Sequence, residues 1–535
     1  MIGLSPIAER VYAPSVRRGT CAGVLFALGL VAFSTSSARA FCGFYVSGAT
    51  APKNRGSLVI LMRDGTRTVV SMQNDYQGPA EAFAMVVPVP EVLSEDQVRT
   101  LPREVFERVD TMAAPRLVEY WEQDPCYADA YEASGRSLAV TETIEQLLQP
   151  ADRDDEDYGV TVEAQFAVGE YDIEILGASD SDGLERWLRD HDYRVPSGAA
   201  AVLAPYIQQG MRFFVARVDP ARAEFADGQA ILSPLRFHYD SESFSLPIRL
   251  GRLSADGPQD VVVHILARQN RYEVANYDNY AIPTNLRVTP EVRANFGAFY
   301  DQLFQRVSEH SDRAVITEYA WSAGSCDPCP GPTLDDELVA TLGADVTPSY
   351  ARAIRRGRVY AGFAADYVLT RLHMRYGNDL GEDLVFRTAP PIEGGRGTPD
   401  GEGQMSPGAR AYAINNFQAR YAILHRWEGD ITCDEPVRGR WGGPPNGGSG
   451  LLAAAGLAFA APSSNANLQS MLDGPQPALG QDPLPTGEQA PAGPPTLPPG
   501  AGCARCGVGA QSTAPPFGWA FATLLVGFAV RRRRR

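Results

Sequence analysis

Cys326 and Cys329 are the residues whose types and spacing carry the clearest chemistry in this sequence. Two thiols separated by two residues can close a disulfide, and they can exchange it with other thiols if one of them has a depressed pKa. The pair lies in a proline-flanked loop, whereas a thioredoxin-like site begins a helix directly after a strand. A structural disulfide is therefore the prediction. Redox exchange and zinc binding are the alternatives, although no second Cys or His pair lies nearby to complete a zinc site.

The other cysteines extend this prediction to the whole folded part. Of the eight cysteines, one lies in a removable N-terminal signal, and disulfides are the default state of the rest in an oxidising compartment. The disulfide candidates are Cys42, Cys126, Cys326, Cys329 and Cys433. Their grouping along the chain predicts one bond from Cys42 to Cys126, which closes a loop of about 85 residues, and one from Cys433 to Cys326 or Cys329. The third thiol of the second group then stays unbonded.

The histidines form no recognisable catalytic or metal-binding motif. None of the six lies in H-E-x-x-H, and the sequence has neither G-x-S-x-G nor a P-loop. Isolated histidines on predicted strands, such as His264 and His373, are expected to be satisfied structural residues. We predict no cofactor and no bound metal. The sequence favours a non-enzymatic role, with a secreted enzyme built from dispersed carboxylates as an alternative, because such pairs are defined by distance in space.

A turn after the strand predicted at 272–277 could bind a glycan. Its aromatic rings could stack on a sugar and its amide and carboxylate groups could hydrogen-bond to it, although such residues commonly just form a turn. The candidate ligand-binding residues are Asn276, Tyr277, Asp278 and Tyr280.

Both ends of the chain carry export signals. Arginines precede an apolar run at 21–33, and Ala38-Arg39-Ala40 fits a cleavage site, so residues 1–40 are predicted to be a signal peptide. At the other end, the apolar run 514–530 stops at an arginine cluster. About 17 residues at roughly 1.5 Å each could cross about 25 Å of hydrocarbon. This predicts a transmembrane helix whose basic end stays in the cytoplasm.

The tail combines a Cys motif, this apolar helix and the arginine cluster within residues 503–535. The motif residues are Cys503, Cys506, Arg531, Arg532, Arg533, Arg534 and Arg535. Their order and spacing resemble the myxobacterial C-terminal sorting signal, which is processed while a protein is delivered to the cell surface. The resemblance implies an exported protein at the cell surface or outer membrane, anchored transiently in the inner membrane.

The net charge excludes one class of partner. The chain has 48 Lys and Arg against 64 Asp and Glu. Removing 1–40 takes away four Arg and one Glu, and removing 531–535 takes away five Arg, which leaves 39 against 63. Such an acidic body repels phosphate backbones, so we expect no nucleic-acid partner. The expected partners are the export and sorting machinery and the membrane through the C-terminal helix, and the acidic body leaves a divalent cation, a glycan or a basic protein as further candidate partners.

Alternating strands joined by short turns predict an α+β fold. Residues 57–62 and 68–73 form one hairpin around an Asp-Gly turn, and 160–168 and 171–175 form a second. Short amphipathic helices interrupt the strands, and the best of them starts at Thr289-Pro290. The sequence therefore predicts antiparallel hairpins and sheets with a few short helices.

The predicted strands and helices fall into two subdomains, 41–288 and 289–435. Residues 436–502 are rich in Pro, Gly, Ala and Ser and cannot bury enough apolar surface to order themselves. We therefore predict that this segment is a disordered stalk between the body and the membrane.

Short blocks spread over the body carry a family resemblance. They lie at 41–46, 63–65, 72–78, 86–90, 117–121, 169–172, 246–251, 271–277 and 326–329. These blocks resemble an uncharacterised bacterial family, domain of unknown function 2330, over about 41–435. The resemblance implies an exported protein but no activity and no catalytic residues.

Together these observations predict an exported, cell-surface-anchored protein with an acidic α+β body and a structural or ligand-binding role. One alternative is a secreted enzyme with a carboxylate-based site. The other is an extracellular thiol–disulfide protein that uses Cys326 and Cys329.

Overall fold

A computed structural model describes most of the chain between the two predicted targeting segments. The described residues are 44–47, 54–73, 83–126, 158–445 without 192, 194, 197, 227–228, 310, 312 and 358–360, then 451–453, 467–474 and 484. The predicted signal peptide, Cys42, the Cys503 and Cys506 motif, the predicted transmembrane helix and the arginine cluster lie outside the described residues.

Strands and short helices alternate along these residues. The α-helices are α1 (Glu104–Ala113), α2 (Ser181–Asp190), α3 (Ala199–Gln208), α4 (Phe296–Ser308), α5 (Asp336–Thr341), α6 (Pro348–Arg355) and α7 (Leu468–Met471). The 3-10 turns are Glu95–Gln97, Arg249–Ser254, Pro290–Ala294, Ala344–Val346 and Phe363–Asp366. Within the described residues, no helix is long and apolar enough to cross a membrane.

The strands of the described residues are numbered in chain order. They are β1 (Phe44–Ser47), β2 (Asn54–Asp64), β3 (Arg67–Met72), β4 (Phe83–Val89), β5 (Val98–Thr100), β6 (Arg116–Glu122), β7 (Val160–Val168), β8 (Tyr171–Ala178), β9 (Arg212–Val218), β10 (Glu224–Ala226), β11 (Gln229–Ile231), β12 (Leu235–Asp240), β13 (Ser245–Leu246), β14 (Ala255–Arg268), β15 (Arg271–Val274), β16 (Asn279–Ala281), β17 (Leu286–Arg287), β18 (Val315–Ser322), β19 (Tyr367–Tyr376), β20 (Leu384–Ala389), β21 (Ile392–Gly394), β22 (Arg410–Ala411), β23 (Asn416–Gln418), β24 (Arg420–His425), β25 (Trp441–Gly442) and β26 (Leu451–Ala453).

A large mixed sheet forms the centre of the fold. Its strand order is β22-β21-β23-β18-β19-β14-β2-β3-β12-β5, with β16 paired to β18. Strand β14 lies near its middle, antiparallel to β19 and parallel to β2. Because both faces of β14 are covered, residues 261–267 form an unbroken buried run.

Apolar clusters cover both faces of this sheet. On one face, Val59 and Val263 pack toward Met85 and Phe214 of a second sheet, β1-β4-β9-β8-β7. Helices α2 and α3 cover the outer face of that second sheet, where Trp187 is buried. On the opposite face of the central sheet lie α1 and α5. The described body is therefore a pair of packed sheets with helices on the outside, and β10-β11 and β13-β20-β15 add two smaller sheets.

A third sheet, β17-β24-β6-β25, packs one face against α4. Strands β24 and β6 are parallel neighbours, although about 300 residues separate them in the sequence. Phe296 and Phe299 of α4 contact the ring of Tyr421 on β24. Because side chains alternate along a strand, the opposite face of β6 and β24 carries a different set of residues.

The predicted α+β class and both predicted hairpins are confirmed. Strands β2 and β3 pair around Gly65, and β7 and β8 pair around Gly169; both glycines have positive φ, 63° and 56°, which tight turns require. The helix predicted from Thr289-Pro290 begins later. Pro290–Ala294 form a 3-10 turn, and α4 starts only at Phe296, after the non-helical Asn295.

The predicted boundary at 288/289 does not coincide with a break between sheets. Strands β18 and β19 from the second half join β14 and β2 from the first half in the central sheet. The two halves therefore share one core rather than forming separate subdomains. The sequence shows where strands lie but not which distant strands pair.

Four described pieces of the predicted stalk pack against the body. β25 and β26 both pair with β6, and Leu472 forms a bridge with Val288. Leu472 and Leu484 are buried in the cluster around α4. The prediction of a flexible stalk is therefore wrong for these pieces, because the edge of β6 and the apolar side of α4 offer them partners that composition alone does not reveal.

Candidate functional site: the Cys326–Cys329 loop

Four of the five candidate cysteines form disulfide bonds in the structure. Cys126 pairs with Cys433 across 307 residues, and Cys326 pairs with Cys329 across three. The predicted bonds from Cys433 to Cys326 or Cys329, and from Cys42 to Cys126, are therefore wrong. Cys126 follows β6 and Cys433 follows β24, so the parallel pairing of these strands brings the two cysteines to one end of the third sheet.

The Cys326–Cys329 loop lies at the surface between β18 and α5. Cys329 is exposed, whereas Cys326 is half-buried and packs against the apolar cluster beneath α1 and α5. Helix α5 begins several residues later, where Asp335 caps it, so neither sulfur lies at a helix start. Cys329 is therefore the more accessible of the two residues, whereas Cys326 is packed.

Two buried side chains hold the backbone between the cysteines. Arg116 Nη1 donates to the carbonyl of Pro328 at 2.7 Å, and Gln418 Nε2 donates to the carbonyl of Asp327 at 2.5 Å. Gln418 also donates to the carbonyl of Gly395 at 2.6 Å. Both donors are fully buried. The central residues of the loop are therefore fixed by groups that do not depend on the S–S bond.

Arg116 and Arg420 lie directly opposite each other on β6 and β24. Both guanidinium groups are buried, with side chains no more than 1% exposed. Arg420 donates to Asn285 Oδ1 at 2.7 Å, to the Tyr120 hydroxyl at 3.1 Å and to the Gly397 carbonyl at 2.7 Å. Within the described part of the chain, no carboxylate forms an ion pair with either arginine. A cross-strand pair of like charges is unfavourable by itself, so its presence here calls for a structural or functional explanation.

The pKa values of these groups reflect their burial. Burial lowers the pKa of both guanidinium groups, and the neighbouring charge of Arg420 lowers that of Arg116 further. Arginine nevertheless stays protonated in proteins, so the pair remains doubly positive. The exposed carboxylate of Asp327, in the disulfide loop, partly offsets this charge by raising the pKa of Arg420. The loop therefore supplies a negative charge next to a buried positive layer.

Comparison with known sequences shows which family this chain belongs to. Residues 36–387 match the sequence profile of a family described as uncharacterized protein conserved in bacteria, DUF2330. The chain belongs to this family. No curated protein and no solved structure matches it. The family resemblance is therefore confirmed. The DUF2330 match ends before β21. Arg116, Cys326 and Cys329 lie inside the matched region, and Gln418 and Arg420 lie beyond it.

A second charged cluster in this DUF2330 protein is sealed inside the fold, on the face of the central sheet beneath α1 and α4. Arg371 donates Nε to Glu318 at 2.5 Å and also pairs with Asp110. His373 lies 2.7 Å from Glu318 and 3.0 Å from Asp260. All five side chains are buried. A substrate could not reach them, so we assign this cluster a structural role, as the sequence led us to expect for His373.

The predicted glycan-binding turn uses its polar groups within the chain. Asn276 and Tyr277 donate to backbone carbonyls of residues 382–383 at 2.8 and 2.7 Å, and Asp278 accepts from a serine hydroxyl at 2.8 Å. Tyr280 lies in β16 and packs against the cluster around α4. These contacts brace the turn against neighbouring loops, and glycan binding by these residues stays a prediction.

Two further features concern ligands. Within the described residues, no group of three or more His, Cys, Asp or Glu side chains could hold a metal ion. A surface cleft of about 390 Å³ lies at one end of the third sheet, and its lining residues are Arg287, Val288, Thr289, Pro290, Leu424, Arg426 and Asp473. The cleft contains neither cysteine, so it is separate from the disulfide loop.

The sequence predicts Cys326 and Cys329 as site residues, but Arg116, Gln418 and Arg420 were not predicted to belong to the site. A local signal for the last two exists: Gln418 and Arg420 alternate with Phe417, Ala419 and Tyr421 in an otherwise apolar run. Such alternation predicts a polar strand face. It does not reveal that this face covers a disulfide loop.

Proposed function

We propose that this DUF2330 protein is an exported thiol–disulfide exchange protein that acts through Cys326–Cys329. The observation that carries the proposal is a short-range disulfide with one exposed cysteine, in a loop whose centre is held by Arg116 and Gln418. Such a disulfide can open and close while its backbone keeps its place. Preorganisation of this kind is what repeated exchange requires.

The exchange needs only a thiol partner. A partner thiolate attacks one sulfur of the pair, a mixed disulfide forms, and the S–S bond breaks as the other cysteine leaves as a thiolate. A second thiol of the partner then attacks the mixed disulfide. The partner ends as a disulfide and Cys326 and Cys329 as thiols, so two electrons have moved from the partner to this protein. The reverse sequence reduces a partner disulfide, and the difference between the two reduction potentials decides which direction is favoured.

A purely structural role explains the Cys326–Cys329 bond less well. In the chain-entropy model, closing a loop of about four residues stabilises a protein by roughly 2 kcal/mol, against roughly 5 to 6 kcal/mol for a loop of about 300 residues such as that of Cys126–Cys433. The Cys326–Cys329 loop is also fixed independently by two buried donors. The long-range bond therefore suits a structural role and the short-range bond an exchange role.

We propose the cell surface as the place of action. Disulfides persist in oxidising compartments, and the signal peptide at 1–40 and the sorting tail at 503–535 agree with export. We expect replacement of the five arginines at 531–535 by serine to lower the amount of protein at the cell surface, measured by surface biotinylation. Unchanged surface abundance would contradict the proposed address.

The exchange activity can be tested on the mature chain purified from an oxidising compartment. Samples are equilibrated in glutathione buffers of increasing reducing strength, alkylated, and mapped by mass spectrometry. We expect the Cys326–Cys329 disulfide to be reduced in a less reducing glutathione buffer than the Cys126–Cys433 disulfide. We also expect the mature chain to catalyse the reduction of insulin by dithiothreitol. The matched controls are Cys326→Ser/Cys329→Ser, which should lose this catalysis, and Cys126→Ser/Cys433→Ser, which should keep it under conditions in which circular dichroism shows that it is folded. Equal catalysis by the first double variant and the wild type would refute the proposal.

A ligand-binding role for the surface protein is the second candidate, and the cleft of about 390 Å³ supports it because its size suits a small molecule. Failure of the exchange test, together with saturable binding of a small saccharide that Arg426→Ala abolishes, would favour this role.

A further inference from the structure

We infer that Cys329 is the sulfur attacked in exchange, and that the buried pair of Arg116 and Arg420 stabilises Cys326 as the leaving thiolate. The inference rests on the proposed exchange function and assigns Arg116 and Arg420 as positioning residues. It also gives a reason for the like-charged pair opposite each other on β6 and β24.

Access decides which sulfur is attacked. An attacking thiolate, the attacked sulfur and the leaving sulfur must lie nearly in line. Cys329 is exposed, whereas Cys326 is half-buried against the apolar cluster that also contains Tyr319 and Leu334. A partner thiol can therefore approach Cys329 from solvent, and the electron pair of the broken S–S bond goes to Cys326. The mixed disulfide forms on Cys329.

Charge decides how well Cys326 leaves. A thiolate in a half-buried apolar site is disfavoured, because burial raises a thiol pKa. We expect Arg116 to counter this effect, because its guanidinium lies 5.6 Å from the centroid of the Tyr319 ring, which belongs to the cluster that Cys326 packs against, and donates to the Pro328 carbonyl between the two cysteines. Arg420 adds a second charge beside it. The pair lacks a carboxylate partner among the described residues, so its field is available to the thiolate.

Other charged or titratable groups lie on the elements that flank the loop or interact with Arg420. They are Asp327 in the loop, Tyr120 on β6, Glu393 on β21, Arg396 after it, Arg410 on β22, Arg108 on α1 and Asp335 before α5. Arg108 pairs with Asp335, and Glu393 pairs with both Arg396 and Arg410, so these groups together keep one positive charge. Burial raises the pKa of Tyr120, which therefore stays neutral. Of these groups, Asp327 opposes the thiolate, and it is exposed to solvent screening.

The inference predicts different behaviour for the two sulfurs. Reduced protein is alkylated with iodoacetamide over a range of pH, and each cysteine is quantified by mass spectrometry. We expect the midpoint for Cys326 to lie below the ordinary thiol value of about 8.5. In Arg420→Gln it should rise by roughly one pH unit, whereas Arg116→Lys, which keeps the charge, should leave it nearly unchanged. The control Arg438→Gln removes a charge elsewhere on the third sheet and should have no effect.

The direction of attack is measured by trapping the mixed disulfide. The oxidised wild type is treated briefly with reduced glutathione, quenched in acid and mapped by mass spectrometry, and glutathione should be found on Cys329 at least about tenfold more often than on Cys326. Equal labelling of the two cysteines, or a wild-type Cys326 midpoint at or above that of an ordinary thiol, would overturn the inference even if Arg420→Gln failed to fold. Absence of any exchange in the wild type would instead overturn the proposed function. If the wild type exchanges disulfides but the Cys326 alkylation midpoint is the same in Arg420→Gln, the inference is overturned and the proposed function stands.

Discussion

The imidazole of His373 donates to the carboxylate of Glu318 across 2.7 Å, and both side chains are sealed from solvent. The other ring nitrogen lies 3.0 Å from Asp260, so both nitrogens face carboxylates and the ring is held as the imidazolium. Burial opposes that charge, but Glu318 and Asp260 outweigh it and raise the pKa of His373. For Glu318 burial likewise raises the pKa, and His373 and Arg371 outweigh it and lower the pKa to about 2.

This pair predicts a stability optimum in mildly acidic solution. The contribution of His373 is complete below its ordinary pKa of 6.5 and is lost as pH rises through its raised folded value. The contribution of Glu318 is complete above its ordinary pKa of 4.5 and is lost as pH falls toward about 2. We expect the free energy of unfolding, measured with urea at a series of pH values, to be highest between these two ordinary values.

The variant His373→Gln separates this cause from general charge effects. Glutamine can donate to one carboxylate but carries no charge, so the alkaline decline should flatten and the maximum should fall. His191→Gln, at the end of α2 and outside the cluster, serves as the matched control and should keep the wild-type profile. An alkaline decline of the same size in His373→Gln as in the wild type would contradict the assignment.

Arg371 should be among the most costly residues to remove. Replacement by methionine leaves Asp110 and Glu318 buried without their arginine, so that Glu318 keeps His373 as its cation, and breaking a buried pair from one side costs roughly 3 to 5 kcal/mol. The matched control is Arg306→Met on α4, where the pair with Glu309 is more than half exposed and removal should cost about 0 to 1 kcal/mol. Urea unfolding of the two variants checks this; losses of similar size would show that the cluster is not held by Arg371.

The contrast between local and distant pairing explains how much of the structure could be predicted. The hairpin of β2 and β3 follows from alternation and an Asp-Gly turn within 20 residues, and it was predicted. The Cys126–Cys433 bond and the Arg116–Arg420 pair both depend on β6 meeting β24, and no local pattern encodes that meeting. For the same reason the cysteines of the site were found from their spacing, while the buried donors that hold their loop were not.

The pieces of chain after residue 440 should stabilise the body. A chain ending at Glu435 loses β25 and β26 from the edge of β6 and exposes the surface that buries Leu472 and Leu484. Each fully buried leucine contributes roughly 1.5 to 3 kcal/mol, so we expect a clearly lower thermal midpoint than for a chain ending at residue 500. Limited proteolysis should also cut the shorter chain faster. Equal midpoints would mean that these pieces do not pack in solution.

The two disulfides should differ in their effect on stability as they differ in loop length. Cys126→Ala/Cys433→Ala removes a bond that spans 307 residues, and the chain-entropy model gives a loss of roughly 5 to 6 kcal/mol. Cys326→Ala/Cys329→Ala removes a bond that spans three residues, with an expected loss of roughly 2 kcal/mol or less, because Arg116 and Gln418 still hold the loop. Urea unfolding without reductant measures both losses, and wild type unfolded with reductant should match the sum. A larger loss in the Cys326 and Cys329 variant would mean that this bond is needed to hold the fold, and the exchange role would lose its main support.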